Sequence, residues 1–113
     1  MNRNIKTSNF FAELPNAKPD EVIDIVLQTD QVRIERIISR GQVTPDGQWY
    51  DQPQEEWVLL LQGAARLQFE HEDDEIPLSI GDYLRIPAHH RHRVSWTDPN
   101  QETLWLGLFF PSP

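Results

Sequence analysis

Histidine is the residue whose type and spacing in this sequence best suit metal binding or proton transfer. Three of the four histidines fall within one short segment, as His89, His90 and His92. Imidazole binds divalent metals and exchanges a proton near neutral pH. If a strand begins at His90, the side chains of His90 and His92 point to the same face, because side chains alternate along a strand. The spacing is therefore compatible with two imidazoles serving one site.

Other chemistries are excluded or disfavoured by residue type. The sequence contains no cysteine, so a disulfide framework, a thiolate metal site and a cysteine nucleophile are ruled out. The fourth histidine, His71, lies in the acidic segment 70–75, which carries five carboxylates. Because the spacing of this segment matches no calcium loop, it predicts a solvated turn and a surface position for His71.

Length and charge limit the range of functions. The 113 residues, with a mass of 13.2 kDa, fit one compact domain with one core. Eighteen acidic residues against 10 basic ones give a net charge of −8, so we expect no binding to nucleic acid or to an anionic membrane. The longest apolar stretches fall far below the roughly 20 residues of a membrane helix, and the N-terminus lacks a signal-peptide core. We expect a soluble cytoplasmic protein.

The first 19 residues differ in character from the rest. They are polar apart from Phe10, Phe11 and Leu14, and two prolines interrupt any helix there. We therefore divide the chain into an N-terminal arm, residues 1–19, and a single domain, residues 20–113.

The domain reads as a succession of short strands separated by turns. Residues 64–70 alternate cleanly between apolar and polar side chains, and residues 103–110 are apolar enough to be buried on both faces. A helix over 20–29 is the rival interpretation for the first strand, but the density of Val and Ile favours a strand. No long helix is convincing, so the pattern predicts a β-sandwich or barrel. The nine predicted strands cover 22–28, 32–39, 48–52, 56–62, 64–70, 77–80, 83–86, 92–96 and 103–110.

Two short motifs resemble those of a known family. In the first, Gly81 is followed after five residues by Pro87 and then by His92. In the second, Glu56 is followed after six residues by Gly63. Over about residues 32–110 the chain resembles the small single-domain proteins of the cupin superfamily (cupin type 2). The resemblance implies an all-β fold, the jelly-roll barrel or double-stranded β-helix.

The resemblance also implies a site, which this sequence alters. The usual cupin site holds divalent iron, manganese, nickel or zinc with three histidines and one glutamate. Here His92 and Glu56 match, whereas the other two histidine positions are Tyr50 and Gln52. Imidazole supplies most of the affinity of such sites, and Tyr is a poor ligand unless its phenol ionises. We therefore expect a divalent ion to be held weakly by His92, Glu56 and Gln52, with His90 if it faces inward.

The same positions predict a ligand pocket. By strand parity we expect Tyr50, Gln52, Glu56, His92 and Trp96 to face the barrel interior. Aromatic walls with a few polar groups are typical of small-molecule pockets. Alternatively, the aromatic side chains fill a small barrel and Glu56 pairs with His92 as a buried couple.

Three functional hypotheses follow. The first is a small-molecule-binding cupin with its pocket around Glu56 and His92. The second is a metal-dependent enzyme, an oxygenase or isomerase, with His90, His92 and Glu56 as ligands. The third is a metal-free enzyme in which Glu56, made more basic by burial, removes a proton.

The resemblance further implies a homodimer, as small cupins commonly form one. Because the arm carries aromatic side chains that it cannot bury by itself, we expect it to pack across a two-fold partner.

Overall fold

The computed structural model describes residues 5–113, and in that range every regular element is a β-strand. The chain from residue 5 onward accordingly contains no helix long and apolar enough to cross a membrane. The eight strands are β1 (Val22–Gln28), β2 (Arg33–Ser39), β3 (Glu55–Gln62), β4 (Ala65–Phe69), β5 (Ile76–Leu78), β6 (Tyr83–Ile86), β7 (His92–Thr97) and β8 (Thr103–Phe110).

The strands form two antiparallel sheets that face each other. One sheet has five strands in the order β1-β2-β8-β3-β6, and the other has three in the order β5-β4-β7. Alternate side chains of both sheets point into the space between them and form the main core. This arrangement confirms the predicted all-β jelly-roll fold. The core residues are Val58, Leu60, Ala65, Leu67, Phe69, Leu78, Ile86 and Trp105.

Most of the predicted strands are present within a residue or two of their expected ends. Residues 22–28 form β1 rather than a helix, as the density of β-branched side chains favoured. The predicted strand 48–52 is reduced to one isolated bridge between Tyr50 and His92. The acidic segment 70–75 forms the turn between β4 and β5, and His71 is exposed there.

Strand β8 lies at the centre of the five-stranded sheet, between β2 and β3. Its inward side chains Trp105 and Phe109 are buried in the barrel. On the outer face Leu104 is fully buried, whereas Leu106 and Leu108 are half-buried. The expectation of burial on both faces therefore holds for the start of the strand and only in part for its end.

The described part of the arm packs on its own barrel. Ala17 is fully buried against Ile38 and Leu104, and Phe10 and Leu14 cover the same cluster. These contacts partly bury Phe10 and Leu14, two of the three apolar side chains of the arm. Phe11 is 49% exposed, residues 1–4 lie outside the described range, and the homodimer stays a prediction.

The backbone of the arm is tied down by side chains of the domain. Arg36 donates through Nη1 to the carbonyl oxygens of Phe10 (3.2 Å) and Ala12 (2.8 Å). Gln42 donates through Nε2 to the carbonyl oxygens of Ala17 (2.7 Å) and Pro19 (3.1 Å). The arm therefore lies along the outer face of the five-stranded sheet without joining it as a strand.

Candidate functional site

A cavity of about 120 Å³ lies between the two sheets. Side chains from both sheets and from the segment before β3 line it. Four of the five residues predicted for the pocket are among them, namely Tyr50, Gln52, Glu56 and His92. The other lining residues are Glu21, Ile23, Glu35, Ile37, Val58, Leu67, Ile86, Val94, Trp105 and Phe109.

His92 is fixed at the first position of β7 and is only 5% exposed. Its ring atom Nδ1 lies 2.8 Å from the carbonyl oxygen of His90. Because a carbonyl can only accept, Nδ1 must carry the hydrogen of this bond, and in the neutral ring Nε2 is then an acceptor. Nε2 makes no hydrogen bond with residues 5–113. The backbone therefore sets which nitrogen of His92 is available to the cavity.

Glu56 faces His92 from strand β3. Its Oε1 accepts a hydrogen bond of 3.0 Å from Gln52 Nε2 and lies 3.7 Å from His92 Nε2. The second distance is longer than a hydrogen bond. When the hydrogen of the neutral His92 ring is on Nδ1, both His92 Nε2 and Glu56 Oε1 are acceptors, and no hydrogen lies between them. A carboxylate oxygen can accept more than one hydrogen bond, so a donor group from outside the protein that lies between the two atoms can reach either of them.

Tyr50 stands at the mouth of the cavity. It is 48% exposed, and its ring centroid lies 5.7 Å from that of His92. The two backbones exchange hydrogen bonds of 2.7 and 3.1 Å, which fix their relative positions. Burial raises the pKa of the Tyr50 phenol, and the nearby charge of Glu21 adds to this effect. The phenol therefore keeps its proton at neutral pH and is a donor beside the cavity.

Two further carboxylates, Glu21 and Glu35, line the cavity, and neither belongs to the motifs that predicted the site. Glu21 accepts a hydrogen bond of 2.9 Å from Ser39 Oγ, and its pKa is raised, first by burial. Glu35 is paired with Arg33 through a contact of 2.8 Å. Glu35 lies two residues before Ile37 on β2, so the two side chains share a face, and this spacing could have indicated that Glu35 points inward. No local pattern marks Glu21, because the fold brings it to the cavity from just before β1.

The loop before β7 holds two histidines that do not line the cavity, His89 and the predicted metal ligand His90. His89 has a φ of +60°, donates its backbone N–H to the Gln52 carbonyl (2.8 Å), and is paired with Asp51 through Nδ1 (2.8 Å). His90 is exposed, and its ring packs edge-on against Phe69 with centroids 4.8 Å apart. Because β7 begins at His92, the alternation that would have placed His90 beside it does not apply. The structure does not bring His90 together with Glu56 and His92.

A buried carboxylate anchors that loop. Glu55, at the start of β3, is 3% exposed and accepts a hydrogen bond of 2.6 Å from the Ala88 N–H and another of 2.8 Å from Arg85 Nε. The bond from Ala88 lowers the pKa of Glu55, and Arg85 lowers it further. This contact fixes the loop between β6 and β7 against β3, and with it the position of His92.

Trp96 lies outside the cavity, although strand parity from His92 had predicted it inside. A register shift occurs where β7 pairs with β4, so that Leu67 is opposite Val94 while Arg66 is opposite Trp96. The extra residue reverses the alternation after Val94. The Trp96 ring therefore packs under the guanidinium of exposed Arg66, at 4.9 Å.

The donor set at the cavity does not match a resident metal ion. Protein metal sites of the zinc type use three or four side-chain ligands. His92 and Glu56 lie close together, but Glu21 and Glu35, which also line the cavity, do not complete a set of three with them. The amide oxygen of Gln52 would be a weak third ligand. Residues 5–113 contain no group of three or more His, Cys, Asp or Glu placed to hold an ion.

Comparisons with known proteins agree with this architecture. The Cupin domain family matches residues 39–109 of the chain. The chain matches no curated protein sequence.

Among solved structures, a putative mannose-6-phosphate isomerase from Ralstonia eutropha JMP134 is 42% identical. The match covers 96% of this chain and 100% of that one, with a TM-score of 0.91. KdgF from Halomonas sp. is 25% identical, with 88% and 87% covered and a TM-score of 0.68. A cupin superfamily protein from Desulfitobacterium hafniense DCB-2 is 21% identical, with 88% and 84% covered and a TM-score of 0.72. With the two predicted motifs, the family match and the barrel in agreement, the chain belongs to the cupin family.

Proposed function

We propose that this cupin binds a small organic molecule in its barrel cavity, with a donor group of the ligand placed between His92 and Glu56. The observation that carries the proposal is the separation of 3.7 Å between His92 Nε2 and Glu56 Oε1. Both atoms belong to side chains that are almost fully buried, at 6% and 11% exposed. Buried polar groups are normally hydrogen-bonded, so the unpartnered Nε2 of His92, beside a carboxylate oxygen that accepts one hydrogen bond from Gln52 and has room for a second, supports a ligand site.

The walls and size of the cavity suit a compact, mainly apolar ligand. Eight of the lining side chains are aliphatic or aromatic without an ionisable group, from Ile23 near the mouth to Trp105 in the core. An apolar cavity of about 150 Å³ admits benzene, so a volume of about 120 Å³ corresponds to roughly one small ring. A larger ligand would extend past Tyr50 into solvent.

Because few metal-donor side chains lie together at the cavity, we favour binding of an organic ligand over metal-dependent catalysis. A divalent ion would have to be held by His92 and Glu56 with at most the amide of Gln52. We therefore expect elemental analysis of protein purified without a metal-affinity tag to find far less than one metal per chain. One equivalent of metal that disappears in His92→Ala would contradict this. Acid–base catalysis by Glu56 stays a prediction.

The experiment is a titration with cyclohexanol, a neutral ring with one hydroxyl, followed by amide chemical shifts in NMR. We expect the shifts to change at residues lining the cavity. Gly107→Ala should weaken the binding several-fold, because the new methyl group would lie 3.8 Å from Glu56 Oε2 and 3.3 Å from the Phe109 ring. Gly81→Ala is the control for a glycine away from the cavity: its φ of +91° makes the variant less stable, but nothing lies within 4 Å of the added methyl group and Gly81 does not line the cavity, so its affinity for cyclohexanol should match that of the parent protein.

Two results would overturn the proposal. One is that no amide near the cavity responds to cyclohexanol up to its solubility. The other is that Gly107→Ala, with an otherwise unchanged spectrum, binds cyclohexanol as tightly as the parent protein.

A further inference from the structure

We propose that the cavity selects a ligand carrying an organic ammonium group and disfavours phosphorylated or carboxylated molecules. This inference rests on the proposed function, because it names the class of ligand for the same cavity. It concerns the charge of the cavity wall, which neither the fold nor the family match specifies.

The charged side chains that line the cavity all have the same sign. They are the three carboxylates Glu21, Glu35 and Glu56, and no Lys or Arg from residues 5–113 lines it with them. Glu35 is compensated by Arg33 at 2.8 Å. Glu21 and Glu56 have only neutral hydrogen-bond partners, a hydroxyl and an amide. An anionic ligand would therefore enter a negative, partly desolvated site without a cation to meet it.

The arginines around the site already have partners: Arg33 is held by Glu35 at 2.8 Å and by the Phe109 ring. Arg85 bonds Glu55 beneath the β6–β7 loop. Arg93, which follows His92, points outward to the carbonyl oxygen of Thr44 (3.0 Å) and to Asp46 (3.3 Å). Recognition of a phosphate group usually depends on Arg or Lys side chains or on clustered backbone N–H groups. The cavity has the acceptors His92 Nε2 and Glu56 Oε1, and the donors carried by its lining residues, the Tyr50 hydroxyl and the Trp105 N–H, are uncharged.

The pair of acceptors at the base of the site distinguishes an ammonium from a hydroxyl. His92 Nε2 has no hydrogen-bond partner among residues 5–113, and Glu56 Oε1, 3.7 Å away, accepts one hydrogen bond from Gln52 and can accept a second. A hydroxyl group has one hydrogen and can satisfy one of them. An ammonium group has three, and its charge also compensates the carboxylate of Glu56.

The aromatic rings of the wall favour the same ligand class. Tyr50 and Trp105 line the cavity, as does Phe109, one face of which is already covered by the Arg33 guanidinium at 4.4 Å. The faces of such rings attract cations, and the attraction grows when the cation is desolvated. A small ammonium ion with a hydrocarbon body therefore matches the carboxylates, the hydrogen-bond acceptors and the aromatic rings of the cavity.

The test uses three probes of nearly equal shape that differ in charge: cyclohexylammonium, cyclohexanol and cyclohexanecarboxylate. NMR titrations at pH 7.5 and constant ionic strength give the affinity of each for the intact protein. We expect cyclohexylammonium to bind at least about tenfold more tightly than the carboxylate, with cyclohexanol between them, since a contact charge pair in a partly open site contributes that much or more. Mannose 6-phosphate, the sugar phosphate after which the Ralstonia protein is named, should bind more weakly than mannose.

A matched pair of variants separates the cavity from the overall charge of −8. Glu56→Gln and Glu72→Gln remove the same charge, but Glu72 lies exposed in the β4–β5 turn. The preference for ammonium should fall several-fold in Glu56→Gln and persist in Glu72→Gln. Equal or tighter binding of the carboxylate, or an equal loss in both variants, would overturn the charge selection while leaving the pocket intact. Failure of all three probes, cyclohexanol included, would instead overturn the proposed binding function, and with it this inference.

Discussion

The turn between β3 and β4 requires glycine at position 63, and its replacement should be costly. Gly63 has a φ of +86°, a region that residues with a side chain rarely adopt. A Cβ added there would lie 2.7 Å from Thr103 Cα and 2.9 Å from the carbonyl oxygen of Glu102, with Thr103 Oγ1 closer still. Thr103 is fully buried in β8. Since two of these three atoms belong to the backbone, they cannot swing away.

The expected loss in Gly63→Ala has two parts. The left-handed backbone conformation costs a residue with a Cβ about 1–2 kcal/mol. Forcing extra volume against packed atoms costs about 1–3 kcal/mol more. The free energy of unfolding should therefore fall by about 2–5 kcal/mol, a large share of the ~5–15 kcal/mol typical of a small domain.

Gly47→Ala is the matched control for this prediction. Gly47 has a φ of +80°, but nothing lies within 4 Å of its added methyl group. It should lose only the conformational part, about 1–2 kcal/mol. Urea unfolding followed by tryptophan fluorescence would measure both variants, the midpoint shifting while the slope stays unchanged. If Gly63→Ala loses no more stability than Gly47→Ala, the close approach of β8 to this turn is not as described.

Two pH-dependent predictions follow from buried carboxyl groups. The pKa of Glu55 is lowered by the Ala88 N–H and then by Arg85. The ionised Glu55 therefore stabilises the fold fully above pH 4.5, the ordinary pKa of a glutamate, and this stabilisation is lost as the pH falls through the lower pKa of the folded state. Glu55→Gln should therefore lower the melting temperature at pH 7, and calorimetry should show the difference shrinking below pH 4; a constant difference would contradict this. The pKa of Glu21 is raised by burial, so its charged form costs stability above the folded value. Glu21→Gln, which can still bond Ser39, should raise the melting temperature at pH 7–8 with no gain at pH 4, and a lower melting temperature at pH 8 would refute the assigned cause.

Strands with strong local patterns were predictable from the sequence. Residues 83–86 and 103–110 form β6 and β8 with the expected ends, because turns bound the first and an apolar run defines the second. The contributions of Tyr50, Gln52, Glu56 and His92 to the cavity followed from the motif positions that the family supplies. Without the resemblance, the sequence offered no reason to pair Glu56 with His92 across 36 positions.

Features that depend on tertiary pairing were not predictable. Trp96 faces outward because of a register shift between β4 and β7, which alternation within β7 alone cannot reveal. His90 is turned to solvent because β7 begins two residues later than the metal hypothesis required. Glu21 reaches the cavity from outside any strand, so its role depends on how β1 is placed against the rest of the sheet.

The position of β1 has a consequence for how such a protein can evolve. β1 pairs only with β2, at the edge of its sheet, and Glu21 and Ile23 reach the cavity from this edge. Glu56, Trp105 and Phe109 come instead from β3 and β8, in the interior of the sheet, where substitutions disturb two neighbours. Mutations at the edge can therefore alter the charge and shape of one cavity wall while folding remains intact. The barrel thus combines an interior held by neighbouring strands on both sides with one wall that is open to substitution, an arrangement by which one scaffold can acquire different ligands.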